Sequence, residues 1–469
     1  MKSMLLLMLM PVCLVVLNTA SLLAAQETSP KHDVQPDLRQ FHEPSLEPPV
    51  KPAAPSWLDG WLAQEYMFGN WGGLRTKLLN LGVTPSITFA TDVLGNPVGG
   101  KRHALREFDN LGLDVNVDFG KLADLEGTQF HVSASQRSGK NLSQNDIGNV
   151  FNVAQLCCGP TFRLVHVYLE QSLWQDQFNI RLGRIAAGDE FLSSPLYGPF
   201  VQEGINGNPE GIFFNAPGMT SYPTATWGLR LRAKPVESFY VMAGVFNGDS
   251  SLGDNEKHGV DFSMRGPLFA IAEVGYQFNQ GKGDTGLPGN YKIGAYYDNG
   301  RFADFLRDVR GGIAALSGLP PRMTRGNAGF YILIDQMVYR EGGPESKQGL
   351  TPFAALLVAP DKNVNTFPLF IDSGLVYQGL VPGRDDDIAA FGVVYGKFSD
   401  RLGRAQRVKQ LLDPSIGVQR YELALEWTYM IQVTPWLQLQ PDIQYIIKPG
   451  GTGKIQDALV LGFQLALSF

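Results

Sequence analysis

The stretch "YELALEWTYMIQVTPWLQLQPDIQYIIK", Tyr421 to Lys448, decides the architecture. In its first half Tyr421, Leu423, Leu425, Trp427, Tyr429, Ile431 and Val433 take one side, and Glu422, Ala424, Glu426, Thr428 and Gln432 take the other. In its second half Leu437, Leu439, Pro441, Ile443, Tyr445 and Ile447 oppose Gln438, Gln440, Asp442, Gln444 and Lys448. A period of two is the signature of a strand with unlike faces. Only Thr434, Pro435 and Trp436 separate the two runs, so they read as a tight hairpin.

The chain ends in the same way. In "ALVLGFQLALSF", Ala458 to Phe469, every odd position from Leu459 is Leu or Phe, while Val460, Gly462, Gln464, Ala466 and Ser468 alternate with them. Weaker alternation occurs in "FNIRLGR", "WGLRLRA" and "IAEVGYQF", and "YILIDQMVYR" reads in either register. Strand candidates lie at 83–92, 111–118, 128–135, 163–171, 177–184, 226–233, 239–246 and 268–278. Eight more lie at 289–298, 329–339, 349–358, 369–377, 387–396, 420–429, 437–447 and 459–469, making sixteen.

Connections sort by parity. Long ones, at 93–110, 136–162, 185–225, 298–328 and 397–419, alternate with short ones such as 172–176, 234–238 and 434–436. An outer-membrane barrel has that asymmetry, with short periplasmic turns, long external loops and an even strand number. Hydrocarbon leaves no solvent for an unpaired strand edge, so such a sheet must close, the last strand against the one that starts near Val83. Trp427, Tyr429, Trp436, Tyr445 and Phe469 near strand ends fit interfacial girdles.

The 469 residues are 44% hydrophobic with formal net charge −6, values that by themselves resemble a soluble chain. A membrane-crossing helix needs about 20 apolar residues. The only such run, "MLLLMLMPVCLVVLNTASLLAA", follows Lys2 and reads as a signal peptide over 1–25. Residues 26–56 hold seven prolines and one aromatic, Phe41, and read as a disordered tether. Of three cysteines, Cys13 would leave with the signal; Cys157 and Cys158 are neighbours expected to stabilise a loop. No metal-type spacing is present, no cofactor is expected, and the absence of a basic cluster argues against nucleic acid.

A sixteen-stranded barrel is wide enough for an aqueous channel. The polar faces would line it with Glu170, Arg181, Arg230, Arg232, Glu273, Asp372, Glu422, Glu426 and Gln444. Mixed carboxylates and guanidiniums suit polyhydroxylated solutes, since each hydroxyl both donates and accepts. The longest connection, 185–225, contains "LYGPFVQEGINGNPEGIFFNAPG" and is expected to fold inward and narrow the pore, presenting Tyr197, Phe200 or Phe213 to sugar rings. "GTGK", Gly451 to Lys454, lacks the Ser/Thr and βαβ context of a phosphate loop; "GDEF", Gly188 to Phe191, resembles a cyclase signature but sits on a loop. Asp385, Asp386 and Asp387 read as a solvated turn rather than a calcium site, and no catalytic set has support, so no enzyme activity is expected.

"FGNWGGLRTKLLNLGV" at Phe68 to Val83 and "DVLGNPVGG" at Asp92 to Gly100 resemble the opening of carbohydrate-selective porins of the OprB type. So do "PGNYKIGAYY", "GLVPGRDDD", "VTPWLQLQPDIQYIIKPGG" and "DALVLGFQLALSF". The resemblance spans roughly 57–469. It implies a sixteen-stranded outer-membrane barrel passing glucose and related sugars by passive diffusion. It also implies a short amphipathic helix at the periplasmic entrance, within 57–82, with Arg75 and Lys77 on its exposed side, and a terminal aromatic read by the barrel-insertion machinery. The fold class expected is therefore all-β, a transmembrane antiparallel barrel over 83–469. Its partners would be small sugars, outer-membrane lipid, the assembly machinery and, in a homo-oligomer, its own copies. The alternatives are a general or anion/organic-acid porin and a secreted soluble carbohydrate-binding β-protein.

Overall fold

The computed structural model describes residues 57–157, 159–281 and 283–469. The signal and tether assigned to 1–56, and Cys158, lie outside them. The strands are β1 Val83–Val98, β2 Leu105–Asp118, β3 Thr128–Gly139, β4 Thr161–Leu173, β5 Phe178–Ile185, β6 Thr226–Val236, β7 Phe239–Asn247 and β8 Leu268–Phe278. They continue as β9 Gly289–Asp308, β10 Pro321–Gln336, β11 Gly349–Val358, β12 Leu369–Gln378, β13 Ile388–Lys397, β14 Tyr421–Thr434, β15 Leu437–Ile447 and β16 Ala458–Ser468. A two-residue piece, Tyr339–Arg340, prolongs β10 along β11. Each strand pairs antiparallel with its sequence neighbour, and β16 returns to β1, so the sheet is a closed barrel of sixteen spanning strands. Closure removes every edge from hydrocarbon.

All sixteen expected strands form. Two expectations about their ends need correction. The connection 93–110 is mostly strand, because β1 runs to Val98 and β2 starts at Leu105. The connection 298–328 is mostly strand: β9 runs to Asp308 and β10 starts at Pro321, with a register shift between Arg325 and Asn327. A bulge breaks the period of two there, which hid the continuation. As expected, the closing strand pairs with the strand that starts at Val83, with Thr88 opposite Ser468 and Asp92 opposite Gln464.

Outward residues are apolar and exposed, as for Leu169, Leu182, Ile293, Phe330, Trp427 and Ile443. Their neighbours along the chain point inward. Among the described residues no helix is long and apolar enough to cross a membrane. The helices are short: α1 Trp57–Leu62, α2 Leu74–Asn80, α3 Phe119–Ala123, α4 Ala187–Glu190, α5 Gly211–Asn215, α6 Ala314–Ser317 and, longest, α7 Asp400–Leu412.

α1 and α2 lie at the end bearing the short turns and both ends of the barrel. Trp61 packs on Trp436 with centroids 4.6 Å apart, and Phe68 stacks on Phe469 at 5.2 Å. Those two girdle candidates thus meet the N-terminal segment rather than lipid. Arg75, expected on the exposed side, is 5% exposed: its guanidinium donates to a terminal oxygen of Phe469 at 2.5 Å and lies over the rings of Tyr66 and Trp71. That oxygen and the two rings hold it in; Lys77 stays exposed.

Candidate permeation site

Two loops enter the barrel, the β3–β4 loop (140–160) and the β5–β6 loop (186–225), and they pack on its inner wall. The inner face of β13 prepares for them with small residues. A Cβ at Gly392 would come within 2.7 Å of Phe200 and one at Gly396 within 2.2 Å of Phe151, so each glycine leaves the space an aromatic ring occupies. Phe200 and Tyr197 meet Phe353 of β11 at 5.5 and 5.6 Å, and Phe151 meets Phe367 and Phe370. Aromatic edge contacts of this kind add to simple area burial.

This placement corrects part of the sugar-stacking expectation. Tyr197 and Phe200 are buried against the wall, turned away from any solute, and Phe213 is half-buried. What the loop contributes to the interior is α4. Its Asp189 lies 3.0 Å from His166 Nε2, and His166 Nδ1 is 3.0 Å from Ser133 Oγ. Its Glu190 reaches two guanidiniums of the facing wall.

That wall is set by register. Glu170 of β4 stands opposite Arg181 of β5, which stands opposite Arg230 of β6; one step along, Asn179 stands opposite Arg232. Leu169, Leu182, Leu229 and Leu231 beside them face outward, so this row faces the interior. Arg181 donates Nε to Glu170 at 2.8 Å and also binds Glu190; Arg230 donates to Glu190 at 2.7 Å and to Asn179. Asn179 donates to Glu170 at 2.5 Å, Arg232 pairs with Asp176 at 2.6 Å, and Arg181 lies 4.3 Å over the Tyr168 ring. Burial works against the charge of Glu190, but Arg181, Arg230 and Arg232 prevail and hold its carboxyl at about 2. Three guanidiniums therefore face three carboxylates, Glu170, Glu190 and Asp176. Four of these six residues stand among the sequence candidates; Glu190 and Asp176 do not, although "GDEF" shortly after β5 contains Glu190.

The remaining candidates lie elsewhere. Glu273 accepts from Tyr240 and Tyr331 hydroxyls at 2.7 and 2.8 Å and from Leu192 N. Glu422 accepts from Val150, Phe151 and Gly450 N–H, and Glu426 from Val201 and Gln202 N–H. Both are saturated by loop backbone, so they are anchors that hold the two loops down. Gln444 donates to Val153 O. Asp372 is buried with neither oxygen hydrogen-bonded and stands apart from the β4–β6 row.

Cys157 is disulfide-bonded, and its carbonyl accepts from Arg137 at 3.1 Å, which ties the cysteine turn to β3. Asp387 is not solvated as expected: Arg384, Tyr429 OH and Gln432 N all donate to it. Among the described residues no group of His, Cys, Asp and Glu is arranged to hold a metal.

A closed sixteen-stranded barrel with an apolar outer belt and a charged inner wall narrowed by inward loops defines an outer-membrane porin. The comparisons place it further. The model of the family described as carbohydrate-selective porin, OprB family, matches residues 102–469. The chain belongs to that family: it is a carbohydrate-selective porin of the Gram-negative outer membrane. It is 29% identical over 431 residues to Porin B of Pseudomonas aeruginosa, covering 86% of this chain and 91% of the relative. It is 24% identical over 433 residues to a putative porin, QuiX, of Acinetobacter baylyi, covering 87% and 93%. Among solved structures, the high-pH form of Pseudomonas putida OprB superposes with TM-score 0.80 at 28% identity, over 87% of this chain and 99% of that one.

Proposed function

We propose that the chain passes glucose-type monosaccharides and related neutral sugars, and that the row Glu170, Arg181 and Arg230, with Glu190 above it, is the strip that selects them. The observation that carries this reading is the pairing of the row: the guanidiniums of Arg181 and Arg230 are held between the carboxylates of Glu170 on β4 and Glu190 on the inward loop, with no net charge. A sugar hydroxyl donates and accepts at once, so it can bond to both kinds of group in passing. Each contact is individually weak, which lets the solute leave as readily as it enters. The same neutrality speaks against an anion porin, for which an unmatched stripe of Arg181, Arg230 and Arg232 would be needed. The chain then acts as a channel only, with no catalysis of its own.

Reconstitution in liposomes tests this. Glucose should swell the vesicles faster than a size-matched uncharged non-sugar, and Arg230→Gln should remove most of that difference while both still permeate. Equal rates in the wild type would end the carbohydrate reading of this strip. A reversal potential strongly favouring anions in a salt gradient would favour the anion reading.

A further inference from the structure

The wall of the barrel has a place to fill beside β4. That strand runs from Thr161, but β5 accompanies it only from Val167, paired with Arg184, and after Ile185 the chain turns inward as the β5–β6 loop. The edge of β4 toward β5 is therefore left without a strand partner from Thr161 to His166. At a membrane such an edge must be met by other donors and acceptors. The β7–β8 connection, 248–267, meets it: Leu164 N–H donates to His258 O at 3.0 Å, and His258 Nδ1 lies 2.9 Å from Phe162 O. A Cβ at Gly259 would collide with Leu164 O, so a glycine is what lets the two backbones lie this close.

From there residues 258–264 cross the outer face toward β7. Arg184 stands between Val167 of β4 and Trp227 of β6, on the face opposite to inward Arg181, yet it is only 1% exposed. The crossing segment covers it. Arg184 donates to Asp261 O at 3.1 Å and to Ala225 O at 2.8 Å, and its guanidinium lies 5.6 Å from the Phe262 ring, which packs on Trp227 at 6.0 Å. Asn247 at the end of β7 donates to Ser263 O at 2.9 Å. The carbonyls of His258, Asp261 and Ser263 are thus met by protein donors rather than by water. Asp261 pairs with Lys257 at 3.1 Å. What the segment leaves outside is apolar: Val260, Phe262 and Met264 are 56%, 49% and 80% exposed. Exposed apolar residues of the wall bracket them, Leu182 two residues before Arg184, Phe162 beside the start of the segment and Leu268 just past its end.

We propose that residues 258–264 are a strap that completes the wall where β5 leaves it, and that Val260, Phe262 and Met264 dock against the acyl chains of the outer leaflet. A loop standing in water gains nothing by presenting three apolar side chains in alternation, whereas hydrocarbon removes their area from water. The occupant follows from continuity. Phe162, Leu182 and Leu268 belong to the apolar outer belt, whose partner is lipid, and the strap lies among them. The lipid contact presses the strap onto Arg184, a cation that would otherwise stand bare in the outward face of the barrel.

The test uses the full mature protein in liposomes, with a fluorophore attached to an introduced thiol. Val260→Cys and Met264→Cys place the probe on the strap, Leu182→Cys in the belt, and Arg310→Cys at the exposed β9–β10 turn. Heat-modifiable gel mobility first shows that each variant is an intact barrel, and the unsubstituted protein carried through the same labelling gives the background. Lipids with nitroxide-labelled acyl chains should quench the probe at positions 260 and 264 about as strongly as at 182, and iodide in solution should quench it little. Position 310 should show the reverse. Iodide quenching at 260 and 264 equal to that at 310 would overturn the proposal. Protection from both quenchers would overturn it too, and loss of that protection on diluting the protein in lipid would assign the surface to a second copy of the chain.

Discussion

Arg75 shows how one side chain joins distant parts of the chain. Its bond to the main-chain oxygen of Phe469 spans nearly the whole barrel sequence, and the carbonyl of Pro85, 3.4 Å away, adds a second acceptor. A hydrogen bond between charged groups contributes about 1.5–3 kcal/mol. Arg75→Ala should therefore weaken docking of the N-terminal segment by about 2 kcal/mol and lower the denaturant midpoint for its release, followed through the fluorescence of Trp61 and Trp436; an unchanged midpoint would show that stacking alone holds the segment. Removing Phe469 takes away both the Phe68 stack and the position of the carboxylate. Membrane levels of the truncated protein should fall more than its single-channel conductance changes. The alternation around Phe469 was legible in the sequence, whereas the burial of Arg75 was not, because its partner is a chain terminus that only barrel closure brings near.

The inward loops are the elements on which pore size depends. Deleting 186–225 should raise single-channel conductance. A gentler probe is Gly392→Val, whose side chain would enter the space held by Phe200 and Ile205. Overpacking of this kind costs about 1–3 kcal/mol, enough to shift the loop off the wall and enlarge the conductance; the wild-type value would mean the loop repacks in place. The contact between the two loops also carries a pH signature. Glu203 binds the Asn152 side chain at 2.5 Å, and burial lifts its carboxyl to about 7 despite that bond and Arg137. The folded state then holds a proton that the unfolded chain has released between pH of about 4.5 and 7, so stability falls as pH rises through that window. Glu190 acts oppositely, but only below its ordinary value near 4.5, where acid progressively removes its contribution down to about 2. Amide exchange of 140–160 should be slower at pH 5 than at pH 8 after correction for the intrinsic rate, and Glu203→Gln should abolish most of the difference. The presence of a long inward loop was readable from its length and its Gly, Pro and aromatic content. Which of its faces meets solute was not, because Tyr197 and Phe200 look alike in sequence whether they line a pore or pack on Phe353.

In the whole molecule, lipid outside and polar groups inside impose one constraint on every strand, and that constraint is local. Side chains alternate with a period of two regardless of what the rest of the chain does, so sixteen strands, their faces and the parity of their connections could be read residue by residue. The extension of β9 and β10 marks the limit of that reading, since beyond the bilayer nothing enforces an apolar face and a bulge shifts the register. Site assembly is a different kind of problem. Glu170, Arg181 and Arg230 meet because three strands fall into one register, and Glu190 joins them because a loop of about forty residues folds back onto that row. Glu422 and Glu426 carry the same alternation as the β4–β6 row, yet they face loop backbone and are spent on it. The sequence by itself determined a membrane barrel with a polar lumen, since that follows from burial pattern along each strand. Only the tertiary structure decided which inward charges pair with one another and which hold backbone, because that depends on where the inward loops come to rest.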